Sequence, residues 1–323
     1  MAASRNSRLT DLRKRVGNVL AARITPGTPL SVGLSGGCDS VVLLHILSES
    51  EWRHALRAVH VHHGLSSNAD GWAAFCSDYC RSLGVPLIVR RVSVDGASGL
   101  GIEAAARNAR YAAFSEVTQG CLLLAHHRGD QAETVLFNLL RGAGVNGAAG
   151  IPVERRAGNL TLLRPLLDVS RGDIEAYASE AGLSWVTDES NADTALTRNY
   201  LRHDALVGLS RRFPAAESSL ARAAANFTEA AGLLDELAVL DWLQVGDGAA
   251  ARMAGLRQLS VPRLKNLLRH RLRCLGWQVP VASRLDEFVR QLLVAAPDRH
   301  PELVLEEGVM RVENRRLHWS LRK

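Results

Sequence analysis

The string Ser35-Gly36-Gly37-Cys38-Asp39-Ser40 closes one apolar run and opens another. Adjacent glycines let backbone N–H groups approach an anion closely, and a helix starting there adds its positive N-terminus. Ser35 and Ser40 supply hydroxyl donors. Asp39 is out of place in a pure phosphate cradle, because its charge repels phosphate. It is in place if Mg²⁺ sits between the carboxylate and a pyrophosphate. The stretch lacks the Gly-Lys-Ser/Thr of the Walker loop and the GxGxxG of dinucleotide folds. The bland alternative is a Gly-Gly turn joining a strand to a helix.

A second stretch, "LLLAHHRGDQAETVLFNLLRGAG" at residues 122–144, sets Asp130 and Glu133 three positions apart at the start of a helical pattern. That spacing projects both carboxylates from one face of the first turn. Helix capping accounts for Asp130 equally well, since acidic residues suit a helix N-terminus. It accounts less well for His126 and His127 at the end of the preceding apolar run.

These stretches need elements to hold them. Strand patterns fall at residues 30–34, 56–61, 86–92, 121–125 and 160–163, and helical patterns at 40–47, 70–83, 103–118 and 130–140. Strands alternating with helices predict an α/β fold with a mostly parallel sheet and helices on both faces. Ligands in such sheets bind beyond the carboxyl ends of the strands. A further helix is expected from Ser170, with Asp173 three positions on. Residues 185–203 are polar and nearly free of apolar periodicity. Residues 142–150 read as a loop.

Beyond Pro214 the pattern changes. Residues 215–243 are Ala- and Leu-rich without proline, and 262–275 carry an apolar stripe at Leu264, Leu267, Leu268, Leu272 and Leu275. Arg263, Lys265, Arg269, Arg271 and Arg273 lie off that stripe and read as a solvated face, with an RNA platform as the alternative. The tail alternates like a small β-meander with a turn at 306–308. The expected division is an α/β domain over 1–214 that holds both stretches and a smaller, mainly helical domain over 215–323, the latter a candidate nucleic-acid contact.

Composition bounds the function. With 47% hydrophobic residues the chain can bury a core, and a net charge of +6 leans toward a polyanionic partner. Five scattered cysteines fit a reducing compartment, and Cys76 with Cys80 lack the second pair of a zinc site. The N-terminus shows no apolar segment after its basic residues, and no apolar run reaches the ~18 residues of a membrane span. The expectation is a soluble, cytoplasmic protein without membrane contact. The six tryptophans read as packing residues.

The S-G-G-C-D-S string resembles the signature of the PP-loop ATP pyrophosphatases, which cleave ATP between the α- and β-phosphates and form adenylated intermediates. "HHRGDQAET" is similar to the H-H-x-D-D-Q-A-E-T block of the tRNA(Ile)-lysidine synthetase family, with Gly129 where that family commonly has its first aspartate. "EAAARNARY" (Arg107, Arg110, Tyr111), "VHVHHGL" (His62 in place of asparagine), "RPLLDVSRGDIEAY" and "DESNADTALTRNYLRH" (Asp188, Asn191, Thr197, Arg198, Asn199) resemble further blocks in order over about residues 30–205. The resemblance implies ATP-dependent joining of free lysine to C2 of the wobble cytidine in the CAU anticodon of tRNA(Ile). It implies ATP held by Ser35, Gly36, Gly37, Cys38, Asp39 and Ser40, and Mg²⁺ held by Asp39. It further implies lysine held by Asp130 and Glu133, and charge at phosphate or tRNA met by Arg198, Arg107, Arg110 and His127. The oligomeric state stays open, a homodimer included. Two rivals remain: a tRNA thiolase of the same superfamily, and an inactive RNA-binding relative.

Overall fold

The structure is a computed structural model and describes residues 2–94, 102–157, 160–189, 197–296 and 299–322. Asn191 lies outside the described residues. The chain divides into two compact units, 1–226 and 227–323.

The first unit opens with α1 (Ala2–Ala21), a helix the sequence reading did not anticipate. It continues β1 (Leu30–Gly33), α2 (Cys38–Ser48), a 3₁₀ turn (Glu51–Ala55), β2 (Leu56–His62), α3 (Ala69–Leu83), β3 (Leu87–Arg91), α4 (Ile102–Val117), β4 (Cys121–Leu123), α5 (Arg128–Leu140), α6 (Val145–Ala148), β5 (Glu154–Ala157), β6 (Leu160–Leu163) and α7 (Arg171–Glu180). α8 (Thr197–Tyr200) then passes through a π-helical turn (Leu201–Ala205) into α9 (Leu206–Arg212) and α10 (Ala216–Val245). The polar stretch before residue 203 thus ends in helix. Residues 142–150, expected as a loop, contain α6.

The six strands run in the order β3-β2-β1-β4-β6-β5, parallel throughout except for β5 against β6. Alternate residues feed opposite faces. Leu56, Ala58, Cys121 and Leu123 pack with α1, α2, α3 and α7, whereas Val59, Val61, Leu122 and Leu124 pack with Phe114 of α4. α2 is buried almost all round, from Val41 to Leu44 and from Ile46 to Ser48, as a helix apolar on every side must be. The chain leaves β1 toward β2 and β3, then returns to lay β4 on the other side of β1. That reversal opens a crevice at the carboxyl ends of β1 and β4, where a ligand fits in a doubly wound sheet. Both chemical stretches issue from those two strand ends.

The second unit contains the C-terminal part of α10, then β7 (Gly246–Asp247), β8 (Ala250–Arg252), α11 (Met253–Leu256), α12 (Val261–Cys274), α13 (Ala282–Val294), β9 (Glu302–Val304), β10 (Gly308–Glu313) and β11 (Arg316–Leu321). Its strands form one antiparallel sheet, β7-β8-β11-β10-β9. The tail is the expected meander, with a second turn at Asn314 and Arg315, both at positive φ. Four of the five stripe leucines are fully buried in α12, while Leu275, at the helix end, is 41% exposed. The basic flank is largely committed within the unit. Arg263 pairs with buried Asp241, Arg273 with Asp235, and Lys265 with Asp286 at 2.6 Å. Arg271 lies 3.8 Å from the Trp242 ring centre and 5.6 Å from that of Trp319. These two tryptophans therefore clamp a cation as well as packing.

Entry into β4 depends on Gly120, which sits at φ +80, where an added Cβ would lie 2.6 Å from the Pro29 carbonyl oxygen. That carbonyl accepts the Cys121 N–H at 3.0 Å and holds β4 beside β1. Gly120→Ala is expected to destabilise the protein by more than about 1 kcal/mol, read as a lower denaturant midpoint at unchanged slope.

Candidate active site

Gly36 and Gly37 make the turn out of β1 possible for separate reasons. Gly36 lies at φ +90, and a Cβ there would meet Val186 Cγ2 at 2.8 Å and Cys76 Sγ at 3.3 Å. The Val186 N–H also donates to the Gly36 carbonyl at 3.0 Å. Gly37 is the N-cap of α2 and offers no side-chain cap, so the first-turn N–H groups remain for a ligand. The serines shape the loop from within. Ser35 and Ser40 hydroxyls are 3.1 Å apart, the Ser35 N–H donates to Ser40 Oγ, Gly37 N–H donates to Ser35 Oγ, and Ser40 Oγ donates to the Gly37 carbonyl.

Asp39 points from this helix start toward two other elements. Arg171, the first residue of α7, donates to Asp39 Oδ2 at 2.6 Å and to Glu175 at 2.7 Å. Asp39 Oδ1 is buried and has no hydrogen-bond partner. Burial raises the Asp39 pKa, the nearby Asp130 raises it further, and His127 and Arg171 oppose the shift. A carboxylate with one orphaned oxygen beside an uncapped helix start fits a divalent cation that also binds phosphate. Among the described residues no group of three metal-ligating side chains converges, so those residues alone do not form a cage. Mg²⁺ suits such a place, because it is commonly held by one or two carboxylates together with substrate phosphates.

The β4 end builds the facing wall. His127 is the N-cap of α5: its Nδ1 accepts the Gly129 N–H at 3.0 Å, and its own N–H donates to Asp130 Oδ2 at 2.9 Å. The imidazole folds over residue 129, where a Cβ would meet its Cε1 at 2.8 Å. Glycine at that position therefore belongs with this ring placement. Glu133, one turn on, is 2% exposed, and Asp130 is 18% exposed. Arg198 donates to Glu133 Oε1 at 3.1 Å. Arg202 donates to Glu133 Oε2 and Asp130 Oδ1 at 3.0 and 2.9 Å. Asp130 thus caps the helix with one oxygen and accepts from Arg202, which it shares with Glu133, with the other.

A cationic group gathers behind His126. Burial and the charges of Arg164, Arg107 and Arg110 push its pKa down to about 4 against the pull of Asp130, so the ring is neutral at physiological pH. Arg107 lies 5.3 Å from the Tyr111 ring centre, and Arg110 donates to His63 at 3.3 Å. His62 pairs with Asp70 at 3.2 Å.

The structure brings Asp39, His127, Asp130, Glu133 and Arg198 together at the ends of β1 and β4, with Arg107 and Arg110 beside His126. Sequence reasoning missed Arg171, Arg202 and Glu217. Arg171 was visible only as part of a helix start. Arg202 lies four residues after Arg198 in "RNYLRH", a same-face spacing that could have flagged it. Glu217 accepts from Arg128 Nε at 2.9 Å and gave no local signal. Gln131 clasps residue 151 in both directions, its amide donating to the Ile151 carbonyl and its oxygen accepting the Ile151 N–H. The thiols are inert by comparison: burial pushes Cys38 and Cys80 up to about 11 and Cys76 up to about 12.

The loop, the sheet order and the crevice define a PP-loop ATP-binding protein, and a family model described as a PP-loop domain matches residues 9–208. A second model, the TilS substrate binding domain, matches residues 252–318. The chain is 45% identical over 301 residues to a tRNA(Ile)-lysidine synthase of Pseudomonas fluorescens, covering 89% of this chain and 67% of that one. It is 41% identical over 311 residues to that of Nitrosomonas europaea, covering 95% and 68%. This chain belongs to the tRNA(Ile)-lysidine synthase family and spans about two thirds of the length of those relatives. The U34-tRNA thiolase NcsA from Methanococcus maripaludis, solved with its 4Fe–4S cluster, shares the fold at a TM-score of 0.57 and 17% identity, covering 70% of this chain and 80% of that one.

Since burial raises the Asp39 pKa above its ordinary 3.8, the ionised form costs stability at pH above the raised value, and that cost vanishes below 3.8. Asp39→Asn is therefore expected to melt at or above the wild-type temperature at pH 8. The difference should shrink as the pH falls, while ATP-dependent pyrophosphate release is lost. A melting series against pH, paired with a pyrophosphate assay, checks both halves.

Proposed function

We propose that this chain joins lysine to C2 of the wobble cytidine in the CAU anticodon of tRNA(Ile), using ATP and passing through an adenylated tRNA. The observation that carries this reading is the meeting of a phosphate-type loop with a carboxylate pair, Glu133 buried and Asp130 partly exposed, in one crevice. A loop alone would serve any nucleotide chemistry; the pair beside it suits a cationic nucleophile.

In this reading ATP lies with its phosphates against Gly36, Gly37 and the start of α2, and Asp39 would be the residue that holds Mg²⁺ beside them. The metal would neutralise charge on the pyrophosphate leaving group. The cytidine O2 attacks the α-phosphorus and the bond to pyrophosphate breaks, which turns the C2 oxygen into part of an AMP leaving group. Asp130 and Glu133 orient the lysine ε-ammonium and take its proton, the amine attacks C2, and AMP departs. Arg198 offsets phosphate charge in both steps, with Arg107, Arg110 and His127 toward phosphate or the tRNA backbone. The second unit supplies further tRNA contact, supported by its match to a substrate-binding family model. A cytoplasmic site of action follows from the tRNA substrate, and among the described residues no helix is long and apolar enough to cross a membrane.

Sulfur transfer fits less well, because the thiols of Cys38, Cys76 and Cys80 are buried with pKa values held above the range in which thiolates form readily.

Purified protein with ATP, Mg²⁺ and labelled lysine is expected to label a CAU-bearing tRNA(Ile) transcript and leave elongator tRNA(Met) unlabelled. Asp130→Ala and Glu133→Ala should lower lysine transfer at least ~100-fold, at the scale of a lost positioned acid–base group, with ATP binding retained. Label on neither transcript would overturn the acceptor, and undiminished transfer in both variants would overturn the carboxylate roles.

A further inference from the structure

Arg202 places a single nitrogen between both carboxylates. Its Nη2 lies 2.9 Å from Asp130 Oδ1 and 2.7 Å from Glu133 Oε2, and its Nε lies 3.0 Å from the same Glu133 oxygen. Two acceptors converging on one nitrogen is the arrangement an ammonium group would occupy. The chain's own guanidinium fills that position here. With Arg198 also on Glu133, the two carboxylates face two guanidiniums, which leaves no net negative charge to draw in another cation.

The two arginines are anchored differently. Arg198 lies 5.4 Å from the Phe137 ring centre, a second contact that keeps it over α5. Arg202 is 42% exposed and rides on the π-helical turn Leu201–Ala205. π turns are wider than α turns, are rare, and recur at functional sites. A long, half-exposed side chain on such a turn can swing without disturbing the packed sheet.

We propose that Arg202 is a cation placeholder: it occupies the lysine ammonium position in the free enzyme and leaves it for the α-phosphate of the adenylated tRNA. Guanidinium matches phosphate as well as carboxylate in bidentate geometry, so a new phosphate beside the Asp39 loop competes directly for it. The exchange ties lysine entry to adenylation, because lysine binds only the state from which Arg202 has gone. Free lysine is thereby kept from an enzyme that has nothing for it to attack, and Arg202 acts as a positioning residue that sets the order of binding. This inference rests on the reading that Asp130 and Glu133 hold the lysine.

The test is equilibrium binding of labelled lysine to the full chain without ATP or tRNA, together with steady-state kinetics in lysine. Arg202→Met is expected to bind lysine about tenfold more tightly than wild type, the factor for a competent state populated one part in ten. Its KM for lysine should fall while kcat for lysidine formation also falls, since the phosphate loses a partner. Arg202→Lys, which restores a cation, should bind lysine weakly again and guards against a merely misfolded methionine variant. Lysine binding by folded Arg202→Met that is no tighter than wild type overturns the placeholder. Glu133→Gln in the Arg202→Met background separates the two readings. Weakened lysine binding there keeps the carboxylate site whatever the fate of the placeholder, and unchanged binding there overturns the carboxylate site itself.

Discussion

Burying the Glu133 carboxylate to 2% exposure constrains everything around it. Removing such a group from water has a desolvation cost of several kcal/mol, which close cations and good hydrogen-bond geometry must offset. Arg198 and Arg202 provide them, and both come from a helical segment more than sixty residues along the chain, at separations of 65 and 69. The α8–π–α9 segment is therefore tied to α5 by charge, so the wall of the crevice and its floor are one electrostatic unit. Asp130 extends the same unit to the α5 N-terminus through the His127 N–H.

The crevice is placed by the sheet. Reversal of strand order at β1, with parallel β4 added on its other side, sets two helix starts side by side, α2 uncapped and α5 capped by His127. The uncapped helix start is free to receive phosphate, and the capped one is free to present side chains. Asp39 and Asp130 thus face each other near enough that Asp130 disfavours the Asp39 charge. Arg171 and His127 temper that repulsion without satisfying Asp39 Oδ1. Stability is given up at that oxygen, which is the position proposed here for a divalent cation.

Much of the fold was legible in the sequence because its signals are local. Short apolar runs and helical patterns marked β1, β2, β4, β6, α2, α3 and α5 to within about two residues, and the buried leucines of α12 stood out by their spacing. What escaped was structure whose sequence looks polar or unpatterned. α1 hides its core contacts, Leu12, Val16 and Leu20, behind a charged face, and the α8–π–α9 segment is held by ion pairs rather than an apolar stripe. The basic flank of α12 read as solvated because its acidic partners Asp235, Asp241 and Asp286 lie on other helices.

The sequence alone determined where the glycine loop falls and that Asp130 and Glu133 share one helix face, because both depend on neighbours within a few positions and on helix spacing. Only the tertiary structure decided which cations meet them. Arg171 reaches Asp39 across 132 positions, and Arg202 reaches Asp130 across 72. Charge pairing carries no period and no preferred spacing over such separations, so an arginine in the sequence does not announce its partner. The folded sheet makes that choice by bringing the ends of β1 and β4 together beneath α7 and the π-helical turn.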